Sequence, residues 1–594
     1  MHGVIAYTGS NAERFQQLCH AAEHFGASNF NTHNTGTNWI GSFGSDNVAR
    51  IFTDANGVGA VYGSAASTVQ YHSENFLDEA PDDIAGCAIH REAGLVVAAG
   101  RGNHKMFIHH LSENEMMASS SLSVLAYALR DSTSIDRSYE DFALGFGFPP
   151  GVQTLFNGIQ SLPAGTRYFA ATASTETTTT FPVSSPAATS FEQAIPQLHD
   201  LFIKAVAEQA GNRTKHAVLL GGFDSMLVAA TLRKLGHEVH TYTFSFGDPH
   251  FEQKNINEFV SSLGITHHPV VITPELIEKN LREFSSHFSQ LGAQPHYQIL
   301  TLIGSQQIAN DGFTAIANGD GCDALFLSFP TVNRRAKISQ RVANAPRFLK
   351  KAALLPLQTA LAERQLGHVG RVMRSVLNNA LLPQPARGHL PTQYLDHYAL
   401  SQLRIGAQPE QAETMLALRL RVAEPTAQMN APRRAFHGNG LTGQSRVKVD
   451  GAVCATGLPH FSPYLHPEFR AFVNSLPIEY LKDQSNSPSA KGKELLVAMV
   501  REYKLLPDLF INQPKQSPSD SPVDTWYMTS LKKQMLNQMQ DLPFAVNTKY
   551  VNTILRAKYP ETWYRNKVSI AHHTMQAIGL LASYASFNRL LREE

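Results

Sequence analysis

Two glycines, an aspartate and a serine lie together in the middle of the chain, where a short apolar run gives way to a helical pattern. The run Ala217 to Leu220 indicates a buried strand, and apolar side chains recur at helical spacing from Ser225 until Gly236. Glycine lets backbone N–H groups approach a ligand, and a helix N-terminus leaves N–H groups unpaired beside a partial positive charge. The segment Gly221-Gly222-Phe223-Asp224-Ser225 is therefore a candidate phosphate site.

Asp224 indicates which kind of phosphate site this is. A carboxylate repels an anion unless a hard cation such as Mg2+ lies between them, so the segment favours a metal-bridged polyphosphate. The signature G-x-x-x-x-G-K-[ST] of kinases and GTPases does not occur in the chain. From these residues alone, a plain Gly-Gly turn between a parallel strand and its helix is an equal alternative.

The same segment resembles the S-G-G-x-D-S pyrophosphate loop of the asparagine-synthetase superfamily. Members of that superfamily use ATP to adenylate a carboxylate, and an amine then displaces AMP. The leading Ser of the loop is Leu220 here, which removes one hydroxyl donor while the backbone donors remain. The resemblance implies that ATP and its pyrophosphate contact Leu219, Gly221, Gly222, Asp224 and Ser225.

A second loop follows the small apolar run Phe313 to Ala317 and reads Asn318-Gly319-Asp320-Gly321, with Asp323 two residues later. By themselves these residues are best interpreted as an ordinary turn. They also resemble the superfamily loop S-G-x-G-x-D, whose first two residues contact the nucleotide and whose final Asp shares Mg2+ with the first loop. The resemblance implies that ATP contacts Asn318 and Gly319, and that Mg2+ is held by Asp224 and Asp323.

Parallel strands place ligands at their carboxyl edge, so the end of the predicted strand Val239 to Phe246 faces the same site. The resemblance puts Phe246 against adenine, and a core aromatic is an equal alternative. Downstream, the segments Phe461 to Arg470, Leu476 to Leu481 and Lys491 to Leu496 occur in the superfamily's order.

A last segment in that order, Leu506 to Gln516, contains a candidate catalytic residue. In the superfamily the lysine of this segment points at the phosphates and the reacting acyl carbon, which implies a catalytic role for Lys515. A lysine in a Pro-Lys-Gln turn is usually solvent-exposed, and only the preceding segments favour the catalytic interpretation.

The first part of the chain is rich in glycine and in short strand-like runs, and it predicts a β-rich domain. Glutamine-using members of the superfamily carry a glutaminase domain here, with a Cys at residue 2 as nucleophile. Residue 2 is His2, which cannot form the same thioester, so glutamine hydrolysis by that route is excluded. The segments Leu95 to Ile108 and Thr154 to Gly165 still resemble that domain.

Length and composition set the broad class. A chain of 594 residues is too long for one core, and 43% hydrophobic with 17% charged residues is ordinary for a globular protein. A net charge of +1 offers no field for nucleic acid, and no apolar run is long enough for a membrane span. The four cysteines lack C-x-x-C pairing and no signal peptide is evident, so we expect a cytoplasmic protein without membrane or nucleic-acid partners.

The predicted fold has two domains joined by a linker rich in Thr, Ser and Pro. Residues 1–172 are expected to form an α+β domain of the glutaminase-like (Ntn-type) β-sandwich kind without its N-terminal Cys. Residues 173–190 form the linker. Residues 191–594 alternate helix and strand, which indicates an α/β parallel sheet, and the resemblance identifies it as the ATP-pyrophosphatase (adenine nucleotide alpha hydrolase-like) fold.

The resemblance implies an ATP-dependent, AMP-forming amide ligase whose amine comes from its own substrate. Lasso-peptide macrolactam cyclases fit best, because of the Gly-Asp-Gly-Cys-Asp loop, the chain length and the Pro-Lys-Gln-Ser segment. Their partners would be a precursor peptide and proteins that bind or remove its leader. Asp320 would orient the amine and help to take its proton, and Lys515 would stabilise the oxyanion.

Several alternatives stay open at this point. Within the superfamily they are β-lactam or carbapenam synthetases and ammonia-dependent asparagine synthetases. A catalytically inactive scaffold is suggested by His2 and Leu220. A sulphur or redox enzyme would need a thiol near the loop, and only Cys322 qualifies.

Overall fold

A computed structural model gives the fold. It describes residues 1–64, 66, 84–100, 104–147, 152–177, 190–248, 256–292, 295–326, 328, 338, 341–359, 370, 373–374, 376–378, 380–381, 395, 397–403, 446–481, 493–511, 521–551 and 572–592.

Two antiparallel sheets of six strands each make up the N-terminal part. Its strands are β1 (Gly3–Thr8), β2 (Asn31–Thr35), β3 (Asn38–Phe43), β4 (Ala49–Thr53), β5 (Gly57–Tyr62), β6 (Ala85–His90), β7 (Gly94–Ala99), β8 (Phe107–Ser112), β9 (Glu115–Ser119), β10 (Ile159–Ser161), β11 (Thr166–Phe169) and β12 (Ser174–Thr177). The strand orders are β10-β8-β9-β1-β3-β2 and β12-β11-β7-β6-β5-β4.

The two sheets share a core because successive strand residues point to opposite faces. Val4 and Ala6 of β1 belong to the same buried cluster as Ala60 of β5 and Val97 of β7. In the described part of the N-terminal domain, the helices beside the sheets are α1 (Ala12–His24), α2 (Leu122–Ala128) and α3 (Glu140–Phe146). The intervening β1 residues Ile5 and Tyr7 join the core that includes buried residues of α1 and α2.

A five-stranded, all-parallel sheet forms the centre of the C-terminal part. Its strands are β13 (Lys215–Leu219), β14 (Glu238–Ser245), β15 (Thr266–Val271), β16 (Ile316–Ala317) and β17 (His460–Phe461). Its helices are α4 (Phe191–Ala210), α5 (Phe223–Lys234), α6 (Ile256–Leu263), α7 (Pro274–Arg282), α8 (Phe284–His287), α9 (Pro295–Asn310), α10 (Cys322–Leu325), α11 (Arg347–Leu354), α12 (His397–Leu403), α13 (Arg446–Thr456), α14 (Pro467–Ser475), α15 (Ile478–Leu481), α16 (Glu494–Glu502), α17 (Asp508–Ile511), α18 (Val523–Met528), α19 (Lys532–Gln538) and α20 (His572–Leu590).

The order of this sheet, β15-β14-β13-β16-β17, reverses direction beside β13. The chain runs outward from β13 to β14 and β15, and it then returns to the other side of β13 with β16. The loops after β13 and β16 therefore begin next to each other at the carboxyl edge, where open α/β sheets bind their ligands.

The N-terminal and C-terminal parts share buried surface. Val449, Val453 and Cys454 of α13 belong to the core between the N-terminal sheets. At the other end of the chain, the hydroxyl of Tyr584 in α20 donates a buried hydrogen bond of 2.7 Å to Glu140 of α3. Because these contacts are buried, the first domain and the helices around the parallel sheet cannot separate without exposing apolar surface.

The described elements agree with the predicted strand-rich first part of the chain and with the predicted alternation of helix and strand after residue 190. The strand predicted from Val239 to Phe246 runs from Glu238 to Ser245, and helix α4 begins at Phe191 because Ser190 caps it. Strand β12 lies inside residues 173–190, so the start of the expected linker is a strand paired with β11. Among the described residues, no helix is long and apolar enough to cross a membrane.

Candidate active site

A buried lysine joins the two aspartates that the sequence analysis assigned to Mg2+. Lys493 Nζ lies 2.5 Å from Asp224 Oδ1 and 2.7 Å from Asp323 Oδ1. Only 8% of the Lys493 side chain is exposed. Burial alone would lower the pKa of Lys493, but the carboxylates of Asp224 and Asp323 outweigh it and hold that pKa well above its usual value. The cluster is one cation between two anions.

Three helix starts position this cluster. Asp224 and Asp323 are the second residues of α5 and α10, and Lys493 directly precedes α16. Lys493 has φ 69° and ψ 30°, a left-handed conformation that costs a residue with a Cβ about 1–2 kcal/mol. Non-glycine residues keep such a conformation only where their surroundings compensate it, and the two ion pairs are that compensation.

The Gly-Gly turn after β13 leaves space beside the cluster. A Cβ built at Gly221 or Gly222 would meet no atom within 4 Å, and Gly222 has φ 149°. Ser225 Oγ accepts hydrogen bonds from the N–H groups of Gly221 (2.8 Å) and Gly222 (3.3 Å) and donates to Gly222 O (3.0 Å). The serine therefore shapes the turn from inside, and the glycines face open space.

The two predicted loops touch each other. A Cβ at Gly319 would lie 2.7 Å from Ser225 N and 2.8 Å from Asp224 Cβ, so only glycine fits at this position. The hydroxyl of Tyr464 donates to the carbonyl oxygen of Asp224 at 3.1 Å and holds the first turn of α5. The structure thus brings together loops that lie far apart in the sequence.

Asn318 is buried, and its side chain is used within its own loop. Its Oδ1 accepts a hydrogen bond from Asp320 N at 3.0 Å, and its Nδ2 lies 3.4 Å from Nδ1 of His460. The side chain therefore fixes the turn, and contact of Asn318 or Gly319 with ATP stays a prediction. Burial lowers the pKa of His460 to about 3, which keeps this imidazole neutral.

Asp320 has a partner that the sequence analysis did not identify. Lys448 Nζ of α13 lies 2.6 Å from Asp320 Oδ1, and Ser462 Oγ donates to Asp320 O at 2.6 Å. Lys448 Nζ also lies 5.8 Å from the ring centroid of Tyr297 in α9. The expected amine-orienting carboxylate is therefore one half of an ion pair at the edge of the site.

The thiol of Cys322 lies next to the cluster, but it is expected to be unreactive. The residue is fully buried, and burial raises its pKa well above the usual value, with the charges of Asp224 and Asp323 acting in the same direction. A thiol held in its protonated form is a poor nucleophile. This is evidence against the sulphur or redox alternative.

The remaining predicted residues are placed as follows. Leu219 ends β13 half-buried, and Phe246 follows β14 half-buried with its ring 6.0 Å from that of Trp526. The adenine contact of Phe246 stays a prediction. Lys515 lies outside the described residues, so its catalytic role also stays a prediction.

Sequence reasoning missed Lys493 and Lys448 for different reasons. Lys493 lies in the segment Lys491 to Leu496, which was recognised without a role for either lysine, and its position just before a helix was the available signal. Lys448 carries no local signal at all, because it follows Asp320 by 128 residues with no motif around it. Only the packing of α13 against the N-terminal sheets shows that Lys448 lies beside Asp320.

His2 occupies the place of the expected glutaminase nucleophile and packs between the two parts of the chain. Its backbone N–H donates to Cys454 O at 2.8 Å, and its Nδ1 accepts from Ser45 N at 2.7 Å. A Cβ at Gly457 would lie 2.8 Å from the ring. Burial, together with the N-terminal charge, lowers the pKa of His2 to about 4, so the ring is neutral and serves as packing.

The residues around the cluster fit a magnesium-bound polyphosphate. Among the described residues, no group of three or more His, Cys, Asp or Glu side chains is placed to hold a metal ion. Mg2+ needs fewer, because it is usually bound by one or two carboxylates together with phosphate oxygens. Asp224 and Asp323 supply two carboxylates, and the open space at the Gly-Gly turn would admit the phosphates.

Comparison with known proteins agrees with this geometry. Residues 197–588, well over half of the chain, match the family model described as asparagine synthase. The matched region contains the Gly-Gly turn, the Asp224–Lys493–Asp323 cluster and the Asp320–Lys448 pair. No curated protein matches the chain.

Proposed function

The chain belongs to the asparagine synthase family of ATP-dependent carbon–nitrogen ligases, and from that premise we propose that it closes a macrolactam ring in a peptide. The peptide would supply an Asp or Glu side-chain carboxylate and its N-terminal amine. The products would be AMP, pyrophosphate and a lasso-type ring. The proteins that bind and remove the leader of the precursor peptide would be partners in this proposal.

The Asp224–Lys493–Asp323 cluster carries the proposal. It lies at the carboxyl edge of a parallel sheet, beside a Gly-Gly turn where a Cβ added to either glycine would meet no atom within 4 Å. A buried cation next to two carboxylates is suited to a ligand that is itself highly charged, because pyrophosphate needs positive charge and Mg2+ needs negative charge. A purely structural turn would not require either group.

In the first step, the substrate carboxylate oxygen attacks the α-phosphorus of ATP and the bond to pyrophosphate breaks. Mg2+, when bound, would offset the charge of the departing pyrophosphate. The backbone at Gly221 and Gly222 would let the phosphates approach, Asp224 and Asp323 would hold the metal, and Lys493 would contribute a fixed positive charge.

In the second step, the substrate amine attacks the acyl carbon and the bond to AMP breaks. An α-amino group has a pKa of about 8, so about a tenth of it is unprotonated at neutral pH. Attack leaves the nitrogen with an extra proton, which the Asp320 carboxylate accepts. Lys448 holds Asp320 at the edge of the site, and Lys515 would stabilise the oxyanion.

His2 supports a substrate-borne amine. A neutral, packed imidazole at residue 2 cannot hydrolyse glutamine through a thioester, so the chain has no ammonia source by that route. Incubation with glutamine and ATP should therefore yield no glutamate. Glutamate formed in step with ATP consumption would contradict this part of the proposal.

The deciding experiment is mass spectrometry of leaderless peptides encoded beside this gene, incubated with the protein, ATP and Mg2+. We expect AMP and a peptide lighter by one water, with the Asp323→Asn variant as the matched inactive control. A small amino acid dehydrated to a β-lactam would instead favour a β-lactam synthetase. Aspartate converted to asparagine with ammonia would favour ordinary asparagine synthesis, and no ATP turnover with any substrate would favour an inactive scaffold.

A further inference from the structure

Five buried or nearly buried residues form a hydrogen-bonded network between the two parts of the chain. They are Tyr62, Ser64, His104, Asp450 and His460, and we call them the interdomain network. The first three belong to the N-terminal part, Asp450 lies on α13, and His460 begins strand β17 of the parallel sheet. The network uses none of the residues that the proposed reaction requires.

Asp450 is held from the N-terminal side by two residues. Tyr62 Oη donates to Asp450 Oδ1 at 3.2 Å and to Asp450 O at 3.1 Å, and His104 Nδ1 lies 2.9 Å from Asp450 Oδ1. His104 Nε2 accepts the N–H of Ser64 at 3.0 Å, so the ring proton is on Nδ1 and is donated to Asp450. The carboxylate is thus fixed by two donors from the other domain.

Ser64, His104 and Asp450 have the order of a hydrolytic triad, with Ser64 Oγ 3.2 Å from His104 Nε2. The hydroxyl is nevertheless engaged on its other side, because Ser64 Oγ accepts the N–H of His460 at 3.1 Å. Ser64 is only 8% exposed. A hydroxyl that is buried and bonded to two groups of the protein holds these groups together, so we assign Ser64 a structural role.

Asp450 lies on α13, the helix that also carries Lys448. Helix residues two apart point to nearly opposite sides, so Asp450 can be held by the N-terminal domain while Lys448 reaches the ligase site. Val449 and Val453 anchor the same helix in the core between the N-terminal sheets. The helix also packs on α9, so contacts with the N-terminal domain and with α9 together place Lys448.

The interdomain network also contacts the loop Asn318 to Gly321, through His460. The imidazole of His460 lies 3.1 Å from Ser305 Oγ and 3.4 Å from Asn318 Nδ2, while its backbone N–H is bound by Ser64. Asn318 in turn holds Asp320 N. Both ends of the Asp320–Lys448 pair are therefore supported by residues that contact the N-terminal domain.

We propose that the N-terminal domain positions the Asp320–Lys448 pair, with Tyr62 and His104 acting on Lys448 through Asp450. The N-terminal domain, which lacks the glutaminase nucleophile, would then have a role in amide formation. This inference rests on the proposed function. Tyr62 and His104 are positioning residues, because neither touches the reacting groups. Their effect should fall on the amine step, where Asp320 accepts a proton.

The first test does not need a substrate. Acetylation of lysines by an N-hydroxysuccinimide ester, followed by peptide mass mapping, reports how well each amine is held. We expect Tyr62→Phe to raise the labelling rate of Lys448 roughly fivefold, because loss of one hydrogen bond to Asp450 is worth about 1 kcal/mol. Lys350, a buried lysine in α11 bonded to Ala343 O and Ala380 O, is the internal reference and should not change.

Tyr168→Phe is the matched control variant. Tyr168 is also a buried tyrosine of the N-terminal domain, but its hydroxyl bonds to His110 at 3.1 Å and not to α13. It should leave the labelling of Lys448 at the wild-type rate. Equal labelling of Lys448 in Tyr62→Phe and wild type would overturn the proposal, and so would equal increases in both Tyr→Phe variants.

The second test separates the two chemical steps with the peptide identified by mass spectrometry. Hydroxylamine traps an acyl-adenylate without needing a base, because it is largely unprotonated at neutral pH. Tyr62→Phe should slow ring closure roughly tenfold while hydroxamate formation stays at the wild-type rate. Equal loss in both reactions would show a general structural defect and overturn the positioning role. An inactive wild type whose Lys448 labelling still responds to Tyr62→Phe would instead refute the proposed function alone.

Discussion

The Lys493 ammonium lies 2.5 Å from the nearer carboxylate oxygen of Asp224, although 269 residues separate the two in the chain. The same ammonium contacts Asp323, and all three groups lie beside the open turn at Gly221 and Gly222. This contact joins the first turn of α5, which follows β13, to the residue directly before α16. It also makes the charge balance of the site testable residue by residue.

Replacing Lys493 should harm both stability and activity. Lys493→Met leaves two carboxylates close together without their cation, and removal of one partner from a buried ion pair costs about 3–5 kcal/mol. We expect a lower free energy of unfolding in urea and no ATP-dependent amide formation. Lys533→Met, at an exposed lysine, is the control and should change neither. Wild-type pyrophosphate release by Lys493→Met would contradict the role of this residue at the phosphates.

Asp224→Asn and Asp323→Asn should each abolish adenylation, because each removes one proposed metal carboxylate. Neither should unfold the protein, since Lys493 keeps one charged partner in either variant. The measurement is pyrophosphate release at saturating Mg2+ and substrate, with circular dichroism to confirm the fold. Full release by either variant would show that the metal assignment is wrong.

Two glycines at the site should respond differently to alanine. Gly319→Ala places a Cβ 2.7 Å from Ser225 N, so the two loops must move apart and the unfolding temperature should fall. Gly221→Ala meets no protein atom within 4 Å and should leave that temperature unchanged. If phosphates occupy this space, Gly221→Ala should abolish the stabilisation that ATP and Mg2+ give the wild type. Stabilisation by ATP equal to that of the wild type would place the phosphates elsewhere.

The protein should lose stability in mild acid partly through His2. Its folded pKa of about 4 lies below the usual 6.5, so the unfolded chain binds more protons between these values. Stability must therefore fall as the pH falls from about 6.5 towards 4. His2→Gln cannot take up this proton, and its unfolding temperature should fall less over the same range.

Local sequence patterns were enough to predict the main elements, whereas the two loops were assigned to a nucleotide site through the resemblance. Strand–turn–helix at Gly221 to Ser225 follows from such patterns, because apolar periodicity and glycine act over a few residues. The resemblance, and not the local pattern, assigned Asp224 and Asp323 to one site. Their proximity in the structure has a simple reason, because β13 and β16 are neighbouring parallel strands whose turns share one sheet edge. The lack of a nucleophilic thiol at residue 2 was equally plain.

The tertiary structure decides which lysines pair with the aspartates of the two loops: Lys493 with Asp224 and Asp323, and Lys448 with Asp320. Lys493 and Lys448 lie far from their partners in the chain, and an ion pair between distant residues leaves no periodic or local trace in sequence. The place of Lys448 depends on how α13 packs against the N-terminal sheets, where Tyr62 and His104 hold Asp450. Such a contact requires side chains from two domains to meet in a water-poor interface, where burial makes each hydrogen bond matter.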